Sequence, residues 1–339
     1  MGGGGETDQR RSRRDVDLWA AGLVVVFTGL CIWVGLRADG RRVDVDEVVY
    51  LRTLQAMHHG QGYYQAMRRA LVLKEGVPPT QFRSIRPPTL FLIMAVFPAA
   101  AWRWVVGVVY LACLVLAWRL ARPLHPLGGP VAVVLVGCWL LGAAPLLFLH
   151  AELWGLPWAF AALLAARHRR WAAAAVLCAV AVTFRELYGA LFLAGLAVCP
   201  RRRPWLIAGV VLGGLGALHV ALSLQVLAAH GSQPALGGGP GGMHWLFDAL
   251  SPSDRPLGWL IGAVTTIGGS VALARSRLRD PADRLLAVYA AALIPLILIF
   301  GRNYWVLCVG PLLAAVAPGA LRPVPPGADP DEGAQLLRG

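Results

Sequence analysis

The sequence predicts an all-α integral membrane protein of about ten transmembrane helices, and three observations carry that prediction. Uncharged apolar runs recur along the chain, several near or above the ~18 residues that read as a transmembrane helix. Hydrophobic residues fill 57% of the 339 positions and charged residues only 14%, against roughly a quarter in a soluble chain. Arginines fall in short clusters between alternate runs, the pattern of loops kept on the cytoplasmic side.

Residues 1–17, with Arg10, Arg11, Arg13 and Arg14, read as a basic cytoplasmic segment. The run 18–36 starts too far from Met1, and lacks a small-residue cleavage site, to be a removable signal; it reads as a retained first span. Further runs lie at 103–121, 131–149, 153–166, 171–184, 187–199, 205–228, 257–274, 284–300 and 304–317. Alternating from a cytoplasmic start puts Arg119 and Arg122 inside, with Arg167, Arg169 and Arg170, then Arg201 to Arg203, then Arg275, Arg277 and Arg279. The short outer turns receive Glu152, the Arg185-Glu186 pair and Arg302.

Were 88–101 (PTLFLIMAVFPAAA) to cross as well, every later arginine cluster would face outward. It therefore reads as a juxtamembrane or re-entrant helix, and the first outer loop runs over 37–102 within a membrane domain of 18–318. A later outer loop, 229–256, reads as Gly/Pro-rich and mobile, with a short amphipathic piece at Met243–Leu250; 319–339 reads as a disordered cytoplasmic tail. No internal repeat is visible.

Some spans are short. WAAAAVLCAVAVTF has 14 residues, about 21 Å of helix against a hydrocarbon core of ~30 Å. Arg185 and Glu186 at the tip of that hairpin are expected below the outer membrane surface, where a charge needs water or a partner. Adjacent helical side chains point about 100° apart, so the two are expected to face different groups, with a lipid phosphate as partner for Arg185. Glu152, at another outer tip between short spans, is in the same position.

The net charge of +13 does not imply nucleic acid, because the arginine clusters sit where they meet anionic lipid. Cys31, Cys113, Cys138, Cys178, Cys199 and Cys308 lie in or beside apolar runs without a CxxC pair, which argues against a disulfide framework or a zinc site. The glycines of VLGGLGAL and the Gly258/Gly262 spacing read as helix-packing surfaces. No strand precedes them, so they are not phosphate loops.

What collects on the outer face is unusual in so apolar a chain. It holds the carboxylates Asp44, Asp46, Glu47 and Glu152 and the cations Lys74, Arg83, Arg86, Arg185 and Arg302, among tyrosines and tryptophans. A carboxylate can act as general base toward a hydroxyl. Arginines fork onto phosphate oxygens and stabilise a departing phosphate, and aromatic faces stack on sugars or polyprenyl chains. A base beside a phosphate clamp fits glycosyl transfer from a lipid-phosphate sugar. Plainer readings stand next to it: Asp44 as a solvated loop residue, Arg86 snorkelling to headgroups, Arg185-Glu186 as a self-satisfied pair, Arg302-Asn303-Tyr304 as an interfacial anchor, and His58 and His59 as loop histidines. A transporter or lipid flippase is the rival function, using the same charges as a pathway.

Asp46-Glu47 followed by Tyr50, then Gly60-Gln61-Gly62-Tyr63-Tyr64, then Arg86-Pro87-Pro88, resembles the first outer loop of the GT-C superfamily of integral membrane, polyprenyl-phosphate-sugar-dependent glycosyltransferases. That superfamily includes aminoarabinose transferases and protein O-mannosyltransferases; an Asp-Glu pair opens the loop and a basic-Pro-Pro or His-Pro-Pro motif closes it. The resemblance covers roughly residues 18–200. It implies a multi-pass cell-membrane enzyme with both termini cytoplasmic and its active site on the outer face. It also implies Asp46 as catalytic base, Arg86 as the cation of the closing motif, Glu152 as a second outer acid and Arg185 as the basic residue of a later hairpin tip. To these the outer inventory adds Glu47 as a catalytic carboxylate and Lys74 and Arg302 as donor-phosphate cations, with Tyr50, Tyr63, Tyr64 and Arg83 as substrate-binding residues. The implied partners are a polyprenyl-phosphate sugar donor and a cell-envelope glycan, lipid or protein acceptor. A divalent cation, Mg or Mn, is left open on the strength of three neighbouring carboxylates. A non-catalytic subunit that keeps the fold is a third reading, and the large outer C-terminal domain of some members is not expected.

Overall fold

The apolar runs fold as helices in the computed structural model, which describes residues 4–37, 45–75, 85–143, 151–228, 256–276, 278–300 and 307–321. Helix α1 (Gly4–Arg37) runs unbroken through the basic N-terminus into the first apolar run, so the expected division near residue 17 is no break in the backbone. The segment 37–102, expected as the first outer loop and called so below, contributes α2 (Val45–His58), α3 (Tyr63–Glu75) and α4 (Thr89–Val96). Between α2 and α3, Gly60 adopts φ 83, a left-handed conformation that only glycine takes without strain.

Two proline junctions shape the next stretch. Residues before proline are driven out of the helical region, which delays α4 until Pro87-Pro88 has passed. Phe97, before Pro98, is extended (φ −102, ψ 140), so the run 88–101 is split into an 8-residue helix and a 3-10 turn at Ala99–Ala101. Eight residues span ~12 Å, far short of a bilayer. The Trp102 indole N–H bonds the carbonyls of Met94 (3.0 Å) and Phe97 (2.9 Å), pinning the break to the start of α5 (Trp102–Ala121).

The remaining helices are α6 (Gly128–Ala143), α7 (Ala151–Arg167), α8 (Trp171–Phe184), α9 (Gly189–Val198), α10 (Arg202–Ala228), α11 (Pro256–Arg275), α12 (Pro281–Phe300) and α13 (Gly310–Val316). A 3-10 turn, Ala317–Leu321, follows α13, and no strand occurs among the described residues. Among the described residues three stretches, 14–34, 99–121 and 202–227, are long and apolar enough to cross a membrane; other apolar helices, such as Gly128–Gly142 and Trp171–Phe184, are shorter.

Small residues permit the tightest crossings. A methyl group on Gly155 would lie 2.2 Å from the Tyr188 ring, on Gly195 2.0 Å from Trp205, and on Gly137 2.3 Å from Phe27. Gly258 and Gly262 are buried on α11, as a packing surface requires. The glycines of VLGGLGAL differ: among the described residues nothing lies within 4 Å of where a side chain on Gly213, Gly214 or Gly216 would begin.

The arginine-rich helix ends meet one another. Arg167 Nε bonds Asp280 (2.8 Å), its Nη2 lies 3.4 Å from Asp283, and its Nη1 donates to the Leu120 carbonyl. Arg122 pairs with Asp17, and Arg275 donates to the Ala320 carbonyl. These ends are the ones the charge pattern assigns to a single side; their arginines tie α1, α5, α7 and α12 together, and α11 to the turn after α13.

Candidate functional site

At the opposite helix ends the first outer loop meets the α8–α9 hairpin. Tyr50 of α2 and Tyr63 of α3 are buried against Phe91 of α4, with ring centroids 5.3 and 5.1 Å away. Tyr63 donates its hydroxyl to the Arg86 carbonyl, and Arg86 Nε donates to the Tyr50 hydroxyl at 3.2 Å. The Arg86-Pro87-Pro88 segment is thus held at both main chain and side chain. Burial, foremost, pushes the Tyr63 phenol well above its ordinary value, so it stays a donor at neutral pH. Tyr64 faces the other way: its hydroxyl lies 3.0 Å from Nδ1 of His219, joining α3 to α10.

On the hairpin, α8 ends at Phe184; Arg185 is extended (φ −148, ψ 122) and Glu186 opens a 3-10 turn, Glu186–Tyr188. The expectation that a 100° helical offset keeps Arg185 and Glu186 apart fails here, since Arg185 is not helical. Its Nη1 lies 3.3 Å from Glu186 Oε1. The stronger partner is Glu152 in the first turn of α7, whose Oε1 is 2.7 Å from Arg185 Nε, with both side chains 3% exposed or less. A carboxylate is favoured there by the helix N-terminus, and a buried ion pair needs such close geometry to offset desolvation. The Tyr188 hydroxyl donates to the Glu152 carbonyl at 2.7 Å while its ring rests on Gly155, fixing the carboxylate from the backbone side.

Glu186 joins the two halves. Its side chain is 56% exposed, and the same Oε1 lies 3.9 Å from Arg86 Nη1. A continuous polar line therefore runs from Glu152 through Arg185, Glu186 and Arg86 to Tyr50, crossing from α7 to the first outer loop.

Of the residues singled out in the sequence, the structure brings together Glu152, Arg185, Arg86, Tyr50 and Tyr63, with Tyr64 beside them on α3. Asp46 and Glu47 lie in the first turn of α2, Asp46 four residues before Tyr50, and Lys74 lies in the last turn of α3; their side chains fall outside the described part. Asp44, Arg83 and Arg302 lie outside the described residues. His58 stacks on Trp102 at 5.8 Å, a packing role. Among the described residues no group of three or more His, Cys, Asp or Glu is gathered as for a metal; of the carboxylates that left Mg or Mn open, Asp44 and the side chains of Asp46 and Glu47 lie outside the described part.

Sequence reasoning passed over the bridging place of Glu186, and it missed Tyr188 and His219. A usable signal existed for His219, the one ionisable side chain in the sequence run 205–228. For Tyr188 the only signal is a phenol next to two charges. Comparison of the chain with protein families, with characterised proteins and with solved structures finds no match, so any functional reading rests on the residues described above.

Proposed function

We propose that the chain is a multi-pass membrane glycosyltransferase of the GT-C type, which moves a sugar from a polyprenyl-phosphate donor to an acceptor hydroxyl on the outer face of the membrane. The observation that supports this reading best is the meeting of Arg86, from the Arg-Pro-Pro motif, with Arg185, from the later hairpin, around one carboxylate beside Tyr50 and Tyr63. Two guanidinium groups converging near a membrane face suit a phosphate, whose oxygens accept paired N–H bonds. The segregation of helix ends, with arginine clasps at one end and this polar line at the other, supports the ten-span, outer-site topology.

The roles follow from burial and position. Asp46 removes the proton of the acceptor hydroxyl as its oxygen attacks the anomeric carbon with inversion; the bond to the phosphate oxygen breaks, and polyprenyl phosphate leaves with the electron pair. Arg86, 18% exposed at its side chain, meets the departing phosphate. Arg185 is enclosed and braced by Glu152, so it acts mainly by positioning and by fixed positive charge. A preorganised donor of this kind contributes about 3–4 kcal/mol to a transition state. The test is to incubate purified protein in detergent with a panel of polyprenyl-phosphate sugars and follow donor consumption. Turnover of at least one donor, lowered by about 10²–10⁴ in Asp46→Asn, is expected. A folded protein inert toward the whole panel would overturn the proposal.

A further inference from the structure

We propose that Glu186 is a built-in counter-anion, holding the place between Arg86 and Arg185 that the phosphate group of a ligand takes on binding, so that carboxylate and phosphate exclude each other. The identification of that ligand as a lipid phosphate rests on the function proposed above; the geometry of the arginines does not. One oxygen, Glu186 Oε1, serves both cations, at 3.3 Å from Arg185 and 3.9 Å from Arg86. Strong charge-assisted bonds lie near 2.7–2.9 Å, so both contacts are slack. The other carboxylate on Arg185 behaves differently: Glu152 sits at 2.7 Å and is sealed from solvent, whereas the Glu186 side chain is 56% exposed.

The two acids therefore divide the work. Glu152 is fixed and sets where Arg185 points; Glu186 hangs from a 3-10 turn at the rim, and exposed pairs of this kind are weak and exchange readily. A phosphate has an advantage that Glu186 lacks. Its non-bridging oxygens can each meet one guanidinium, whereas the carboxylate spans both with a single oxygen. Replacing Glu186 by the ligand keeps the arginines neutralised and lets Glu186 swing into solvent.

The experiment measures equilibrium binding of polyprenyl phosphate and, separately, of inorganic phosphate to the full chain in detergent, with thermal stability recorded for each variant. Glu186→Gln removes the competitor and is expected to bind polyprenyl phosphate about tenfold tighter, as when a competent fraction near one tenth becomes dominant. Adding Arg86→Gln should abolish the gain. Glu186→Asp, which keeps the charge but draws it back from Arg86, should fall between; it decides the matter if the Gln variant does not fold. Unchanged or weaker binding in a variant as stable as the parent overturns the proposal, because Glu186 would then be positioning the arginines. A gain confined to inorganic phosphate supports the exclusion but overturns the lipid-linked donor, and so the function proposed above.

Discussion

Neutralising Glu152 tests how far the buried charges hold the α7–α8 hairpin. Glu152→Gln removes the carboxylate charge 2.7 Å from Arg185 Nε, while an arginine only 2% exposed at its side chain keeps its own charge. At ~4 Å and an effective dielectric of about 20, the attraction removed is about 4 kcal/mol. Removing one partner of a buried pair costs about 3–5 kcal/mol. Glu186, 3.3 Å away, remains as a second counter-charge and moves the expectation to about 3 kcal/mol, the low end of that range. At roughly 2–3 °C per kcal/mol for a chain of this size, the midpoint should fall by about 6–9 °C. The assay is built into the protein: Cys31, Cys113, Cys178, Cys199 and Cys308 are buried, so a thiol-reactive fluorogenic dye reports unfolding. The double variant Glu152→Gln/Arg185→Gln removes both charges and should recover at least ~1 kcal/mol relative to the sum of the single losses. A midpoint within about 1 °C of the parent, or strictly additive losses, would refute the reasoning and leave the pair without structural weight.

Asp46→Asn keeps shape and hydrogen bonding but removes the proton acceptor, so transfer should fall by about 10²–10⁴ while donor binding survives; undiminished turnover would shift the role to Asp44 or Glu47, or sink the enzyme reading. Gly155→Ala drives a methyl to 2.2 Å from the Tyr188 ring. The ring must move and its hydroxyl must leave the Glu152 carbonyl, a loss of about 1–3 kcal/mol; a parent-like midpoint would contradict that packing. Single cysteines placed in 60–80 or 235–245 should react with an impermeant label in intact cells, while those at 167–170 and 201–203 should not. Labelling of 167–170 from outside would reverse the sidedness and remove the outer site.

Several helices were legible where charge was scarce. The run 171–184 coincides with α8, and 103–121 and 205–228 fall within a few residues of α5 and α10, because an apolar run has few other ways to satisfy its backbone; among the described residues of the run 304–317, by contrast, the α-helix takes up only Gly310–Val316. The division of 88–101 was half legible. Arginine alternation argued that it does not cross, but the break itself comes from Pro98 acting on Phe97. Glu152, Arg86 and Arg185 each stood out as charges at the edges of apolar sequence. Their joining did not, since it depends on how α7, α8 and the first outer loop pack. Nothing in Thr183-Phe184-Arg185-Glu186 announces that the helix stops before Arg185: the stretch has neither glycine nor proline, and helical geometry carried through it separated two side chains that in fact meet. Arg167 was readable as a loop charge, but its acids Asp280 and Asp283 lie far along the chain, out of reach of any local pattern.

The pairing of Glu152 with Arg185 also bears on how the protein is made. Glu152 opens α7 and Arg185 closes α8, so both belong to one helical hairpin that is synthesised before α10 to α13 exist. On the multi-pass topology proposed above, that hairpin would enter the bilayer with its charges already cancelling, instead of carrying a lone acid or arginine into the apolar layer. The next link, Glu186 to Arg86, reaches back to a segment already made. At the hairpin's other end the order reverses, for Arg167 must wait in water until Asp280 and Asp283 arrive. The polar line of the site can thus close during translation, while the clasp on the arginine-rich side closes last and locks the C-terminal helices to a hairpin that is already in place.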